Sequence, residues 1–315
     1  MLKRIVLSIL VIGLLFNTVF SQAKKQTKEK AKLGKLISTK ELVMGLVPAE
    51  DPSVMMERQK PLVEYLSNIL KRPIKTFIAT DYTGVIEAMR AGKVHFAWFG
   101  PFSYVMAAER ADAVPLAVPI KDDGKSTYRS YITTSAEIAK NLGITEPLRS
   151  EEGMKKLVEK LQPFKKKYTF TFTDPASTSG YAVPRFFMHK AGIKPEDIFK
   201  KIGYIGAHDA GQLAVKHKIL DFAACWDKTY EDMIRDGKID TNSNMLIWIS
   251  DEIPESPIAY RRDLPKDVLE LLKDAFVKMP ENLARIQGTP YKGYRLISEE
   301  EFKIVVEIKQ VLDSL

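Results

Sequence analysis

From residue 41 onward the sequence alternates short runs rich in β-branched and aromatic residues with amphipathic helical patterns, and this alternation narrows the fold more than any other feature. Residues 42–47, 74–79, 94–98, 114–119, 168–173, 202–205, 222–225 and 246–249 read as strands. Between two of them, Tyr82, Val85, Ile86 and Met89 are spaced for one face of a helix. Asp81 stands just before that pattern as an N-cap. Such alternation builds an α/β protein with mainly parallel sheets and helices on both faces. The only cysteine is Cys225, so an intramolecular disulfide is excluded and stability must come from a packed core. A chain of 315 residues exceeds the usual size of one domain and points to two lobes.

Residues 1–23 read as a cleavable secretion signal. Lys3 and Arg4 give a positive start, 5–20 is an almost unbroken apolar run, and Ser21 and Ala23 supply small residues for cleavage. The competing reading is an uncleaved anchor, but the run is shorter than the roughly 20 residues a helical span needs. The expected location is therefore periplasmic or otherwise secreted, soluble after cleavage. The formal charge of +8 is concentrated at the same end. Lys3 and Arg4 carry two of these charges, and seven lysines against Glu29 in 24–40 carry six, which leaves 41–315 neutral. The Lys-rich stretch 24–40 has little apolar content and reads as a flexible linker. A neutral body argues against a nucleic-acid-binding fold.

Two extended stretches mark crossings between lobes. The first, 128–134, follows the turn Asp122-Asp123-Gly124; the second, 257–261, carries the chain back. Lobe one is then 41–127 plus 258–315, and lobe two is 128–257. A two-strand hinge of this kind lets lobes close on a ligand held between them. The alternative is one continuous sheet with a long insertion.

The most informative motif is Thr173-Asp174-Pro175-Ala176-Ser177-Thr178-Ser179-Gly180-Tyr181, which follows a β-rich run and precedes a helical pattern. Three consecutive hydroxyl residues thus sit at a strand-to-helix turn. The first turn of a helix offers unpaired N–H groups and the positive end of the dipole. Hydroxyl donors beside those amides make an anion socket without any formal positive charge. A simple N-cap, which needs only one hydroxyl, explains the same residues equally well.

The stretch Asp174 to Gly180, with Pro184 following, resembles the signature of phosphonate/phosphite-type ABC-transporter substrate-binding proteins. Further matches occur in the order that family shows: Asp81-Tyr82 before a helix ending Glu87-Ala88-Met89-Arg90-Ala91-Gly92, then Phe96 to Tyr104, then Gly206-Ala207-His208-Asp209-Ala210 and Asp221-Phe222-Ala223-Ala224. The resemblance covers roughly residues 41 to 280. It implies a bilobal periplasmic-binding-protein fold, a ligand bearing a phosphorus oxyanion, a permease as membrane partner, and a monomer without cofactor. It assigns ligand contacts to Ser177, Thr178 and Ser179, to Trp98 and Tyr128, to His208, and to Asp227 as the acidic position after the next strand. Taken without the resemblance, Trp98 reads as core, Tyr128 as a half-buried strand residue, His208 as a satisfied polar group and Asp227 as an N-cap. One departure stands out: where the family often has Asp before proline at the return crossing, this chain has Ser256-Pro257 after Glu255.

Two other classes compete. A serine hydrolase would use Ser177 or Ser179 with His208 and Asp227, but the nucleophile elbow Gly-x-Ser-x-Gly is missing. The four histidines and one cysteine have no metal-site spacing, and no Gly-x-x-x-x-Gly-Lys loop is present. A ligand-binding subunit of a membrane sensor would carry the same fold and pocket as a transport protein.

Overall fold

The computed structural model describes residues 33–36, 38–287 and 290–315. The expected signal and most of the Lys-rich stretch lie outside the described residues. The first body begins β1 (Leu42–Leu46), α1 (Pro52–Leu70), β2 (Ile74–Ile78), α2 (Tyr82–Arg90), β3 (Phe96–Trp98), α3 (Pro101–Ala111) and β4 (Ala113–Lys121). The chain then crosses through β5 (Thr127–Tyr128) into β6 (Ser130–Thr134), α4 (Ala136–Asn141), β7 (Leu148–Arg149), α5 (Ser150–Leu161) and β8 (Thr169–Phe172). A π turn, Thr178–Ala182, runs directly into α6 (Val183–Lys190). After it come α7 (Pro195–Ile198), β9 (Lys201–Tyr204), α8 (His208–Lys216), β10 (Phe222–Trp226), α9 (Asp227–Arg235) and β11 (Met245–Ile249). The return crossing is β12 (Ile253–Pro254), followed by β13 (Ile258–Arg261), α10 (Lys266–Val277), α11 (Glu281–Gln287), β14 (Tyr291–Leu296) and α12 (Lys303–Asp313).

These strands form two six-stranded sheets, β14-β4-β13-β3-β1-β2 and β7-β11-β6-β10-β8-β9, joined by the antiparallel pair β12-β5. The fold is bilobal α/β with two strands at the crossing. The sheets are mixed, which corrects the expectation of mainly parallel pairing. In the first, β1 pairs in parallel with β2 and β3, but β13 runs antiparallel to β3 and β4. In the second, β6 runs antiparallel to both β10 and β11. The cause is the double crossing: β6 and β13 enter their sheets from the hinge, against strands that arrive by ordinary strand–helix–strand connections.

Local chemistry accounts for the elements nearest the cleft. Asp81 accepts from the N–H of Gly84 at 2.7 Å and starts α2, whose Tyr82, Val85, Ile86 and Met89 are buried on one face. Asp51 caps α1 through the N–H groups of Ser53 and Val54, and Pro52 fits the first helical position because its missing N–H is not needed there. One core cluster runs without a break from Val85 and Phe102 in the first body to Phe172 and Trp248 in the second, so the two bodies are packed against one another. Each fully buried Phe in it contributes about 1.5–3 kcal/mol.

The end of the stretch expected to be a free linker is held. Gly34 N–H donates to Arg90 O at 2.9 Å, and the guanidinium of Arg261 donates to Gly34 O and, at 3.0 Å, to Met89 O. Arg261 is only 2% exposed. A buried guanidinium needs acceptors for its donors, and this arm supplies one of them. Gly92 has φ +80°, and a side chain there would overlap the Lys35 carbonyl, so glycine is what lets the arm lie down.

Candidate functional site

Strand ends and helix starts meet in the cleft between the sheets. The loop after β1 brings Val47 and Ala49, the start of α2 brings Tyr82, and β3 with the turn after it brings Trp98 and Gly100. The hinge contributes Tyr128 and Ser256. The second body contributes Ser177, Thr178, Ser179, His208 and Trp226. Together they enclose a cavity of about 270 Å³, counting its mouth. Among the described residues, no Lys, Arg, Asp or Glu lines it.

What replaces charge is helix geometry. Five helical segments begin at this cavity: α2 capped by Asp81, α3 by Gly100, the π turn by Ser177, α8 by Ala207 and α9 by Trp226. Each start carries the positive end of a dipole, while N–H groups there are already bonded within the protein, that of Tyr82 to Asp174, of Phe102 to Thr178, of His208 to Ala49 and of Lys228 to Asp227. The ends of α2, α3 and the π turn carry no acidic residue in the first turn and make a positive environment built into the backbone, whereas Asp209 and Asp227 stand in the first turns of α8 and α9.

The hydroxyls are oriented by their neighbours. Ser177 Oγ accepts from Gly180 N–H at 3.1 Å, and Thr178 Oγ1 accepts from Phe102 N–H, across the cleft, at 2.8 Å. An Oγ whose lone pair is used by a fixed N–H keeps its own proton to donate. The hydroxyl of Tyr82 meets that of Ser177, and the hydroxyl of Tyr128 meets those of Thr178 and Ser179. All three socket residues are at most 2% exposed.

His208 stacks on Trp226 with ring centroids 5.8 Å apart, and its Nδ1 lies 3.1 Å from Thr173 Oγ1. The single proton of that hydroxyl goes to Ala224 O at 3.2 Å. Nδ1 must therefore be the donor, which leaves Nε2 as the acceptor of the neutral ring. Burial pushes the His208 pKa down to about 4, against the charge of Glu50, so the ring is neutral near pH 7.

Six of the seven residues singled out from the sequence thus line one cavity: Trp98, Tyr128, Ser177, Thr178, Ser179 and His208. Asp227 does not. Its Oδ1 accepts from Lys228 N–H at 2.8 Å, its Oδ2 accepts from Arg129 N–H at 3.0 Å, and Lys121 Nζ lies 3.7 Å away. The carboxylate is taken up by the start of its own helix and by the hinge. Nor do Ser177 or Ser179, His208 and Asp227 assemble as a triad, since His208 turns Nδ1 to Thr173. Among the described residues, no three His, Cys, Asp or Glu are grouped to hold a metal. Tyr104 packs on Phe302 in the core.

The sequence reading missed Tyr82, Gly100, Trp226 and Ala49 as lining residues. A usable signal existed, because each stands where a strand end passes to a helix start, the position at which α/β sheets bind ligands. Glu50, next to Ala49, was also missed. Burial works against its ionisation, but Lys228, Arg58 and the Thr229 hydroxyl together hold its carboxyl below the usual range.

A cleft between two mixed α/β lobes, charge-free and ringed by helix starts, defines a two-lobed solute-binding protein for a small anion. Residues 44–302 match the family described as ABC transporter, phosphonate, periplasmic substrate-binding protein. The chain belongs to that family, and is a substrate-binding component of an ABC transporter. It is 26% identical over 299 residues to a phosphonates-binding periplasmic protein of Escherichia coli, covering 94% of this chain and 80% of that one. It is 27% identical over 285 residues to a probable ABC transporter phosphite-binding protein of Prochlorococcus marinus, covering 88% and 91%. Among solved structures, a Prochlorococcus marinus protein in complex with methylphosphonate superposes with TM-score 0.75 at 21% identity, covering 88% of this chain and all of that one. Among the described residues no helix is long and apolar enough to cross a membrane.

Proposed function

We propose that the cavity holds a monoprotonated phosphorus oxyanion, either phosphite, phosphate or a small phosphonate, and that the protein binds it without chemical change for delivery to a permease. The observation that carries this reading is the convergence of five helix starts and three hydroxyls on a cavity lined by no charged residue. Ser177, Thr178 and Ser179 donate to the ligand oxygens, with Tyr82 and Tyr128 holding the hydroxyls in place. Trp98 packs on the ligand's far side, and His208 Nε2 accepts the ligand's own proton. Asp227 takes no part.

Residues 41–127 with 258–315, and 128–257, act as the two bodies that close. The reading extends to a monomer exported by the 1–23 segment, on the strength of that segment's basic start and apolar run. The names of the Escherichia coli and Prochlorococcus relatives support a phosphonate or phosphite rather than a carboxylate ligand. The test is the double variant Ser177→Ala with Ser179→Ala, titrated calorimetrically with phosphite, phosphate and methylphosphonate. Each lost hydrogen bond to a charged group costs roughly 1.5–3 kcal/mol, so affinity should fall by about a hundredfold or more. Parent-like affinity in a folded double variant refutes the socket.

A further inference from the structure

The hinge buries three ionisable side chains that come from three parts of the chain. Glu255 follows β12 and is 0% exposed, and its N–H donates to Ser126 O at 2.9 Å, just before β5. Its neighbour Ser256 lines the oxyanion cavity. Asp227 opens α9 in the second body and is buried. Lys121 ends β4 in the first body, and its Nζ lies 3.7 Å from Asp227 Oδ2. That ion contact therefore spans the two bodies. The other ionisable groups around Glu255 are phenols, Tyr291 and Tyr294 from β14 and Tyr128 from β5, all kept protonated by burial. Arg295, Arg129 and Glu231 on the same elements or beside them are engaged elsewhere, with Glu301, Glu252 and Tyr131.

Two carboxylates and one cation in a buried space leave one negative charge over, which is costly where water is excluded. The oxygens of Glu255 show where a proton relieves it. Oε1 accepts from Tyr291 O–H at 3.2 Å and from Ser256 N–H at 3.1 Å. Oε2 is buried and has no partner among the described residues.

We propose that capture of the anion is coupled to uptake of one proton from solvent, held on Glu255 Oε2 in the closed form. The proposal rests on the cavity being the oxyanion socket and on the bodies closing around its ligand. When the bodies part, Asp227 leaves Lys121 and water reaches the hinge. Glu255 then ionises beside a cation that it no longer shares. When the bodies close, the carboxylate loses both the water and the free cation, and takes a proton from solvent. Burial, opposed by Lys121 and reinforced by Asp227, raises the pKa of Glu255 in this arrangement to about 7. A group whose pKa rises on closing favours the closed form as pH falls. Its contribution is fully present below the ordinary carboxyl range and is lost as pH rises through about 7.

The experiment is calorimetry of methylphosphonate and phosphate binding to the parent and to Glu255→Gln. Proton uptake is read at pH 6 from buffers of different ionisation heat, and affinities are followed from pH 5 to 8.5. Comparing the two proteins cancels protons exchanged by the ligand and by His208. Per ligand bound, the parent should take up roughly one proton more than Glu255→Gln. The affinity ratio of variant to parent should grow by about tenfold or more between pH 5 and 8.5, because only the parent must then bury a charge or find a scarce proton. Glu255→Met also lacks the acid and makes the same comparison if the Gln variant does not fold. The coupling is overturned if the proton counts agree, or if the affinity ratio does not change with pH. A parent that binds neither methylphosphonate nor phosphate is a different outcome: it removes the socket, and the coupling with it.

Discussion

In the proposed site, His208 decides which protonation state of an anion the cavity takes. Its Nδ1 proton is committed to Thr173, whose own proton is committed to Ala224 O, so in the proposed site Nε2 meets the ligand as an acceptor. A fully ionised oxyanion brings only lone pairs to that nitrogen, whereas a P–OH brings the missing proton. Sulfate near neutral pH should therefore bind at least tenfold more weakly than phosphate or methylphosphonate, since one lost hydrogen bond becomes a repulsive contact. The sign with pH follows from the His208 pKa of about 4, lowered by burial. As pH falls toward that value the ring gains a second N–H, so sulfate binding should strengthen. As pH rises and the phosphorus ligand loses its last proton, its binding should weaken. His208→Gln supplies an amide donor and should narrow the gap. Competitive titration from pH 5 to 8.5 checks this, and equal affinity for sulfate at pH 7.5 rules the role out. The family resemblance in the sequence also assigned a ligand contact to Asp227, which does not line the cavity. A ligand-facing Asp and an Asp that caps its own helix look identical in one dimension, because both follow a strand and open a helix.

The socket element is a π turn, and Gly180 is what permits it. Thr173 N–H donates to Gly180 O at 2.9 Å, which brings the end of β8 hard against the turn. A Cβ on residue 180 would overlap Thr173 Oγ1 and Cβ and stand 2.8 Å from Ser177 Oγ. Thr173 also carries the bond to His208, so it has no room to retreat. Gly180→Ala should cost about 1–3 kcal/mol of stability by overpacking, and should weaken ligand binding by displacing the Ser177 hydroxyl. Thermal unfolding and calorimetry on the same sample test both, and a variant with parent stability and affinity shows that the turn is not tightly packed. At this scale much was legible. All eight strands expected from β-rich runs exist, with ends moved by one or two residues. The hydroxyl triplet also announced a helix start. The π turn was not legible, because it depends on how β8 meets the helix rather than on composition. Nor was β14, whose buried Tyr291 and Tyr294 are three residues apart because its pairing with β4 shifts register between Tyr291 and Gly293. The bulge at this sheet-edge strand breaks the period of two by which a strand is read from sequence.

At the scale of the whole molecule, the two bodies are joined by bonds that involve helix starts, and in the proposed function these hold the closed form. His208 N–H donates to Ala49 O at 2.9 Å, Phe102 N–H to Thr178 Oγ1 at 2.8 Å, and Tyr82 N–H to Asp174 Oδ2 at 3.3 Å. Thr229 Oγ1 donates to Glu50 Oε1, and Asp51 N–H to Asp209 Oδ2 at 3.0 Å. The sequence revealed the extended crossings but none of these contacts. They join residues as far apart as Glu50 and Thr229, which carry no local pattern linking them. Most of the set touches the cavity, so substituting it would confuse closure with ligand contact. Two bonds are exceptions, Thr229 with Glu50 and Asp51 with Asp209, since none of these four residues lines the cavity; the second is the more exposed. Asp209→Ala removes one charge-assisted bond from the closed form and none from the ligand. If the ligand binds only the closed form, apparent affinity falls by the loss in closed population. A bond of this kind near the surface predicts a weakening of roughly three- to tenfold. The loss should appear mainly as faster release, because encounter occurs with the open form and release requires opening. Scattering should give the ligand-free variant a radius of gyration at least as large as the parent's, with both contracting to one value at saturating ligand. A slower association rate with unchanged release would instead place Asp209 on the ligand's path into the cleft. Unaltered affinity with unaltered compactness would mean that this contact does not hold the lobes together.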